Sequence, residues 1–137
     1  MSRQRRGFSP AMPVWTKRSD ANGLFFPLLP ARETSGVKNV RAGLELINTS
    51  GNLDATVGWE LSDDGESWPA STAAPGTFTT AVNRTTEGAT YATAFEDIGA
   101  SMTKKYVRFG VLVKNTTGTV TMDVAICAIR IEIRAVP

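Results

Sequence analysis

The last third of the chain alternates apolar and polar residues with a period of two. Between residues 105 and 114, one face of the pattern is formed by Val107, Phe109, Val111 and Val113. A turn sequence, Asn-Thr-Thr-Gly, follows at 115–118, and a second alternating segment continues to Arg134. Because successive side chains of a strand point to opposite faces, this pattern predicts two antiparallel strands with one face on a core.

The same period marks earlier segments. One face of the first is Val40, Ala42, Leu44 and Leu46, and one face of the second is Val57, Trp59 and Leu61. This phase assigns Trp59 to the core. Residues 24–30 contain two prolines, which suits an edge strand or a lid-like crossing rather than a central strand. Shorter strands are expected near 77–82 and 91–95. No segment has a sustained 3.6-residue period, so the sequence predicts an all-β, antiparallel β-sandwich or jelly-roll-like domain.

The final strand contains one irregular step. Its apolar positions are Val120, Met122, Val124 and Ile126, followed by Ile129, Ile131 and Ile133. The odd step from 126 to 129 would switch the inward face, and it predicts a β-bulge near Cys127-Ala128. Arg130, Glu132 and Arg134 are then expected on the opposite, solvated or partner-facing side.

Positive charge is concentrated at the N-terminus. The basic residues of 1–18 are Arg3, Arg5, Arg6, Lys17 and Arg18, with no acidic residue among them, although the net charge is only +2. Pro10 and Pro13 exclude a helix there. We therefore predict an extended basic arm at 1–20, ordered against a partner, and a sandwich domain at 21–137. No apolar run approaches the roughly 20 residues that span a bilayer, so no membrane association is expected.

The chain has no histidine, and its one cysteine, Cys127, lies in an apolar run. These features exclude Ser-His-Asp and Cys-His catalysis and the commonest zinc sites, and they favour a buried thiol. The carboxylates show no paired signature of the kind that glycoside hydrolysis needs. We therefore expect neither an enzyme nor a cofactor or metal.

The turn Asp63-Asp64-Gly65-Glu66, followed by Trp68, is the most legible local motif. An Asp-Gly pair favours a hairpin turn, with Trp68 packing across it. Two functional interpretations remain beside this structural one. Trp68 could be an aromatic platform for a sugar, and Asp63, Asp64 and Glu66 could form a calcium loop.

The arm and the segment after it hold the candidate partner-binding residues. The apolar ones, which would bury surface on a neighbouring subunit, are Phe8, Trp15, Phe25 and Phe26. The basic ones are Arg3, Arg5, Arg6, Lys17 and Arg18. Five scattered charges are few for packaging nucleic acid, so contact with a subunit is favoured over contact with phosphates.

Three features together carry a resemblance: the basic arm with its tryptophan and prolines, the Thr/Ala/Gly-rich middle, and the final pair at 106–111 and 120–133. In these the chain resembles small virion structural proteins of tailed bacteriophages, especially capsid decoration or accessory head proteins. The resemblance implies a β-sandwich that forms a homo-oligomer, for instance a trimer. It also implies binding to a major capsid or other virion protein, in a particle assembled in the host cytoplasm.

Two alternatives remain open. One is a carbohydrate-binding module that uses Trp68 and the neighbouring acidic turn to hold a glycan. The other is a small virus coat protein whose arm contacts nucleic acid, although nucleic acid is not the favoured partner.

Overall fold

The computed structural model describes residues 4–17, 23–47, 53–70, 75–115 and 122–134. Within these ranges the chain forms twelve strands and one turn of 3-10 helix, Gly99–Ser101. The strands are β1 (Gln4–Phe8), β2 (Met12–Lys17), β3 (Leu24–Pro27), β4 (Arg32–Glu33), β5 (Asn39–Ile47), β6 (Leu53–Ser62), β7 (Gly76–Thr77), β8 (Asn83–Arg84), β9 (Gly88–Tyr91), β10 (Glu96–Asp97), β11 (Tyr106–Asn115) and β12 (Met122–Arg134).

The strands form two antiparallel sheets that pack as a sandwich. Sheet I has the order β1-β12-β5-β10, with β2 also paired to β12 and β9 also paired to β5. Sheet II has the order β3-β11-β6-β7, with β4 also paired to β11 and β8 also paired to β6. Short strands that share a neighbour occupy one position between them, so each sheet is four positions wide. This arrangement confirms the predicted antiparallel β-sandwich.

The connectivity follows a simple rule when the eight positions are counted along the chain. In sheet I the first position pairs with the eighth, and the third pairs with the sixth. In sheet II the second pairs with the seventh, and the fourth pairs with the fifth. The eight positions therefore pair as in one long hairpin that is wrapped around the core. Its successive strand pairs lie alternately in sheet I and sheet II.

The core lies between the inward faces that the alternation predicts. In β5 these are Val40, Ala42, Leu44 and Leu46, and in β11 they are Val107, Phe109, Val111 and Val113, all at most 2% exposed. Trp59 is buried as predicted and meets Phe78 edge to face, with ring centroids 5.0 Å apart. Among the described strands, β3 pairs with β11 alone, as expected of an edge strand.

The bulge predicted in the last strand is wrong. β12 pairs with β5 without interruption from Ile126 to Arg134. Its buried face has one phase throughout, formed by Ala125, Cys127, Ile129, Ile131 and Ile133. The prediction failed because Val124 and Ile126 are apolar but lie on the outer face. Burial raises the pKa of the Cys127 thiol to about 12, as suits a structural cysteine.

An irregularity lies instead between β1 and β2, the two strands that pair with the other edge of β12. Met12 faces Cys127 and Phe8 faces Arg130, so the three residues 9–11 stand against only two residues of β12. The N–H of Ser9 donates to the carbonyl of Ile129 at 2.9 Å, and the N–H of Ile129 donates to Ser9 Oγ at 2.7 Å. The side-chain oxygen of Ser9 thus accepts a hydrogen bond that a backbone carbonyl would accept in a regular ladder.

The described part of the N-terminal segment forms β1 and β2, and both strands pair with β12 of the same chain. Val14 and Thr16 are fully buried. The expectation that the segment is ordered only against a partner therefore differs from the structure. The physical reason is that β12 would otherwise present unpaired backbone groups along a long edge. The division at residue 20 stays a prediction.

The loop-rich middle was less well predicted. The strand expected at 77–82 is replaced by the two-residue strands β7 and β8. The strand expected at 91–95 lies earlier, as β9. The hairpin predicted at Asp63-Asp64-Gly65-Glu66 is not formed, because no strand follows the turn directly: β6 ends at Ser62 and the next described strand is β7.

Candidate binding surface

The outer face of sheet I is defined by the residues that alternate with the core set. Residues directly opposite in an antiparallel pair lie on the same face, so the register of β12 with its neighbours identifies the members. On β12 they are Val124, Ile126, Ala128, Arg130, Glu132 and Arg134. On β5 they are Arg41, Gly43, Glu45 and Ile47.

Exposed apolar side chains are segregated to this sheet. Among the residues whose side chains the structure describes, five large hydrophobic ones are exposed: Phe8 (61%), Met12 (40%), Trp15 (43%), Tyr91 (53%) and Val124 (48%). All five lie on strands of sheet I, and none of them is on sheet II. Single exposed apolar residues are common, but several on one sheet are characteristic of an interaction surface.

We call one end of the outer face the apolar half. It consists of Pro13, Trp15, Ile47, Val124 and Ile126. Trp15 stands directly opposite Val124, and Ile126 stands between Pro13 and Ile47. Trp15 also contacts Phe26 of β3, with ring centroids 4.8 Å apart, so it closes the edge between the two sheets.

We call the other end the arginine half. It consists of Arg6, Phe8, Arg41, Tyr91, Phe95, Arg130, Glu132 and Arg134. Its centre is the carboxylate of Glu132, which is only 2% exposed although it points away from the core. Arg41 Nε donates to Glu132 Oε2 at 3.1 Å, Arg130 forms an ion pair with the other oxygen, and Arg6 Nε lies 3.9 Å from that oxygen.

The ionisation state of Glu132 follows from these neighbours. Burial by itself would raise the pKa of this carboxyl, but the hydrogen bond and charge of Arg41, with the charges of Arg130 and Arg6, outweigh burial and lower the pKa. Glu132 is therefore ionised at neutral pH. It holds arginines from three adjacent strands in one array.

Aromatic rings line the arginine half. Phe8, Arg130, Gly43 and Tyr91 form one row across four strands. The Tyr91 ring covers Gly43 so closely that an added Cβ would overlap it. A cavity of about 130 Å³ lies beside the ring, bordered by Arg41 and Arg130.

The arginines also stack on these rings. Arg130 lies over Phe8 at 5.3 Å, and Arg41 and Arg134 lie over Phe95 at 4.9 and 4.4 Å. Such contacts hold a guanidinium in place while its N–H edge pairs with an anion, as Arg41 and Arg130 do with Glu132.

The structure brings Arg6, Phe8 and Trp15 of the predicted arm to this sheet. Phe25 is placed differently: it is 4% exposed and lies over Gly110, so little of its surface is free for a neighbour. Phe26 is half-buried against Trp15. Arg3 and Arg18 lie outside the described residues. Arg5 and Lys17 are in β1 and β2, but their side chains are not among those described.

The predicted ligand loop is organised around Asp64. Its Oδ1 accepts hydrogen bonds from the N–H groups of Glu66 and Ser67 at 2.9 and 2.7 Å and from Ser62 Oγ at 3.0 Å. These bonds lower the pKa of Asp64, so it stays ionised and fastens the turn. Asp63 is 81% exposed and lies 3.8 Å from Lys104 Nζ.

The ring of Trp68 contacts an arginine side chain. Arg108 lies over its ring at 4.2 Å and donates to Glu60 Oε2 from Nε at 2.8 Å. A shallow cavity of about 270 Å³ borders Asp63, Asp64 and Trp68. Among the described side chains, no three acidic or cysteine residues converge as a metal site would require. Nor does any described helix have the length and apolarity to cross a membrane.

No protein-family model matches the chain, and no curated protein matches it in sequence. Among solved structures, its fold is similar to VP2 in the subviral particle of infectious bursal disease virus, with a TM-score of 0.55 and 7% identity over 96% of this chain and 32% of that one. In the Gt strain of that virus the TM-score is 0.52, with 12% identity over 96% of this chain and 33% of that one.

The PBSX exported protein XepA aligns with a TM-score of 0.45 and 13% identity, over 100% of this chain and 38% of that one. The chain thus spans about a third of the length of the VP2 chains. At these identities the likeness concerns the fold, which is a β-sandwich of the kind found in a viral capsid protein.

Proposed function

We propose that this protein is a non-enzymatic virion structural protein that forms a homo-oligomer and binds a capsid lattice as a decoration or accessory subunit. The observation that carries the proposal is the segregation of exposed apolar side chains to sheet I. Aromatic residues and arginine are enriched in protein interfaces, and tryptophan, tyrosine and arginine dominate their binding energy. The outer face of sheet I has this composition.

Two further observations support the proposal. The alternating pairs of the eight strand positions have the connectivity expected of a jelly roll, an architecture used by viral capsid domains. The fold is also similar to capsid VP2. Repeated weak contacts in a symmetric assembly add up through avidity, so one modest face per subunit is sufficient.

The apolar half gives the test of self-association. Val124 is outward and 48% exposed, so Val124→Arg should leave the fold intact but place an unpaired charge in the contact. The unmodified protein is expected to elute as an oligomer in size-exclusion chromatography with light scattering, and Val124→Arg as a monomer. Thr77→Arg, which introduces the same charge at an exposed position on the outer face of sheet II, should elute like the unmodified protein. A monomeric unmodified protein, or equal effects of the two variants, would contradict the proposal.

A further inference from the structure

The arginine half carries more positive charge than its own acid neutralises. Three arginines, Arg6, Arg41 and Arg130, contact the carboxylate of Glu132, and Arg134 lies over Phe95 beside them, which leaves an excess of three positive charges within the arginine half. The register places two further acids on the same face outside this half, Glu45 and Asp97. Arg6 is 54% exposed, and Arg41 and Arg130 are about one third exposed. These groups are thus preorganised by Glu132 and the aromatic rings, yet they still face solvent.

The surroundings of the cluster favour a protein ligand over a nucleic acid. The arginine half continues along β12 into the apolar half, whose aliphatic residues Val124 and Ile126 have no counterpart in phosphate recognition. Protein segments, by contrast, combine carboxylates with apolar side chains and can match both parts of the face.

We propose that the arginine half binds an extended acidic segment of a second virion protein. The inference rests on the proposed function and names the chemistry of the partner. An extended segment places every second side chain on the sheet, about 7 Å apart. Its carboxylates pair with Arg6 and Arg134, and its apolar side chains contact Phe8 and Tyr91 beside the cavity.

Fluorescence anisotropy with a labelled peptide that repeats Glu-Ser-Leu-Ser, in which Glu and Leu alternate along one face of the extended chain, tests this inference with the unmodified protein. We expect binding that weakens as salt is raised, because the charges are solvent-exposed. Arg6→Gln with Arg134→Gln leaves the Arg41–Glu132–Arg130 centre intact and should weaken binding about tenfold, which corresponds to about 1.4 kcal/mol. Thermal melting checks that this variant is folded, and Arg134→Gln alone should give a smaller loss in the same direction.

The control is Lys104→Gln with Lys105→Gln, which removes two positive charges near the acidic turn and should leave binding unchanged. Three outcomes would overturn the inference: no binding of the peptide, an equal loss in the control, or tighter binding of single-stranded oligothymidine than of the peptide. A change in self-association without peptide binding would indicate a second copy as the occupant and would also overturn it.

The experiments distinguish failure of the acidic-segment inference from failure of the proposed function. If the peptide does not bind while Val124→Arg still abolishes self-association, the acidic-segment inference is wrong and the proposed function is retained. If the peptide binds but the unmodified protein is monomeric, the proposed homo-oligomer is wrong and the charge recognition is retained.

Discussion

Glu132→Gln is expected to lower the free energy of unfolding by about 3 kcal/mol, the lower end of the range for removing one partner of a buried ion pair. The change leaves Arg6, Arg41 and Arg130 without their common counter-charge and turns an amide N–H₂ toward guanidinium donors. The lower end applies because the arginines keep part of their hydration. Chemical denaturation of the variant measures the loss. Glu45→Gln, an exposed carboxylate on the same sheet, is the control and should change stability little.

Glu132→Gln is also expected to change how the stability of the protein depends on pH. Because the pKa of Glu132 is lowered in the folded state, its contribution is complete above the unfolded value of about 4.3 and is lost as pH falls toward the folded value. Denaturation midpoints of Glu132→Gln should therefore fall less steeply below that pH than those of the unmodified protein. Equal acid slopes, or no loss of stability at neutral pH, would show that Glu132 does not organise the arginines.

Gly110→Ala is expected to cost about 3 kcal/mol, at the upper end of the range for overpacking. A Cβ at this position would overlap the carbonyl oxygen of Phe26 and lie 2.8 Å from the Cα of Pro27. Both obstacles are backbone atoms of β3, which cannot rotate away, so the strand must shift from β11. Denaturation of the variant gives the stability difference.

Gly7→Ala is the matched control. An added Cβ there would meet the Leu29 side chain, with Cδ1 at 3.4 Å and Cδ2 at 3.8 Å, both ordinary contacts. This variant should be as stable as the unmodified protein or slightly more so, because alanine restricts the unfolded chain. Equal effects at Gly7 and Gly110 would mean that β3 does not lie against β11 as described.

The sequence predicted the fold class because residue type alone distinguishes the inward face of its long strands from the outward face. In β5 and β11 one face is wholly apolar, so period two alone assigns the core. β12 is apolar on both faces near residues 124–129, so its composition does not reveal which residues point inward. Only the pairing with β5 and β2 resolves the phase.

The binding surface was predicted only in part, for a related reason. Alternation placed Arg130, Glu132 and Arg134 on a common face, and the arm was a visible source of Arg6. These residues come together with Arg41 because of the register of β1, β5 and β12, which are far apart in the sequence. One sequence by itself does not reveal that register. Tyr91 gave a weak signal: Gly43 interrupts a strand, and an interior glycine often marks the close approach of another group.

Hydroxyl-radical footprinting of the assembled unmodified protein tests the central claim, that the outer face of sheet I is the contact surface, most directly. Exposed aromatic and methionine side chains react, so each residue reports its own burial. Relative to the monomeric Val124→Arg variant, Trp15 of the apolar half should be protected, while Trp68 and Tyr106 on the sheet II side should react equally in both. Phe8 and Tyr91 should stay reactive in the oligomer, because the arginine half is left open to the acidic segment. Protection confined to Trp68 and Tyr106, with Trp15 unchanged, would contradict the account.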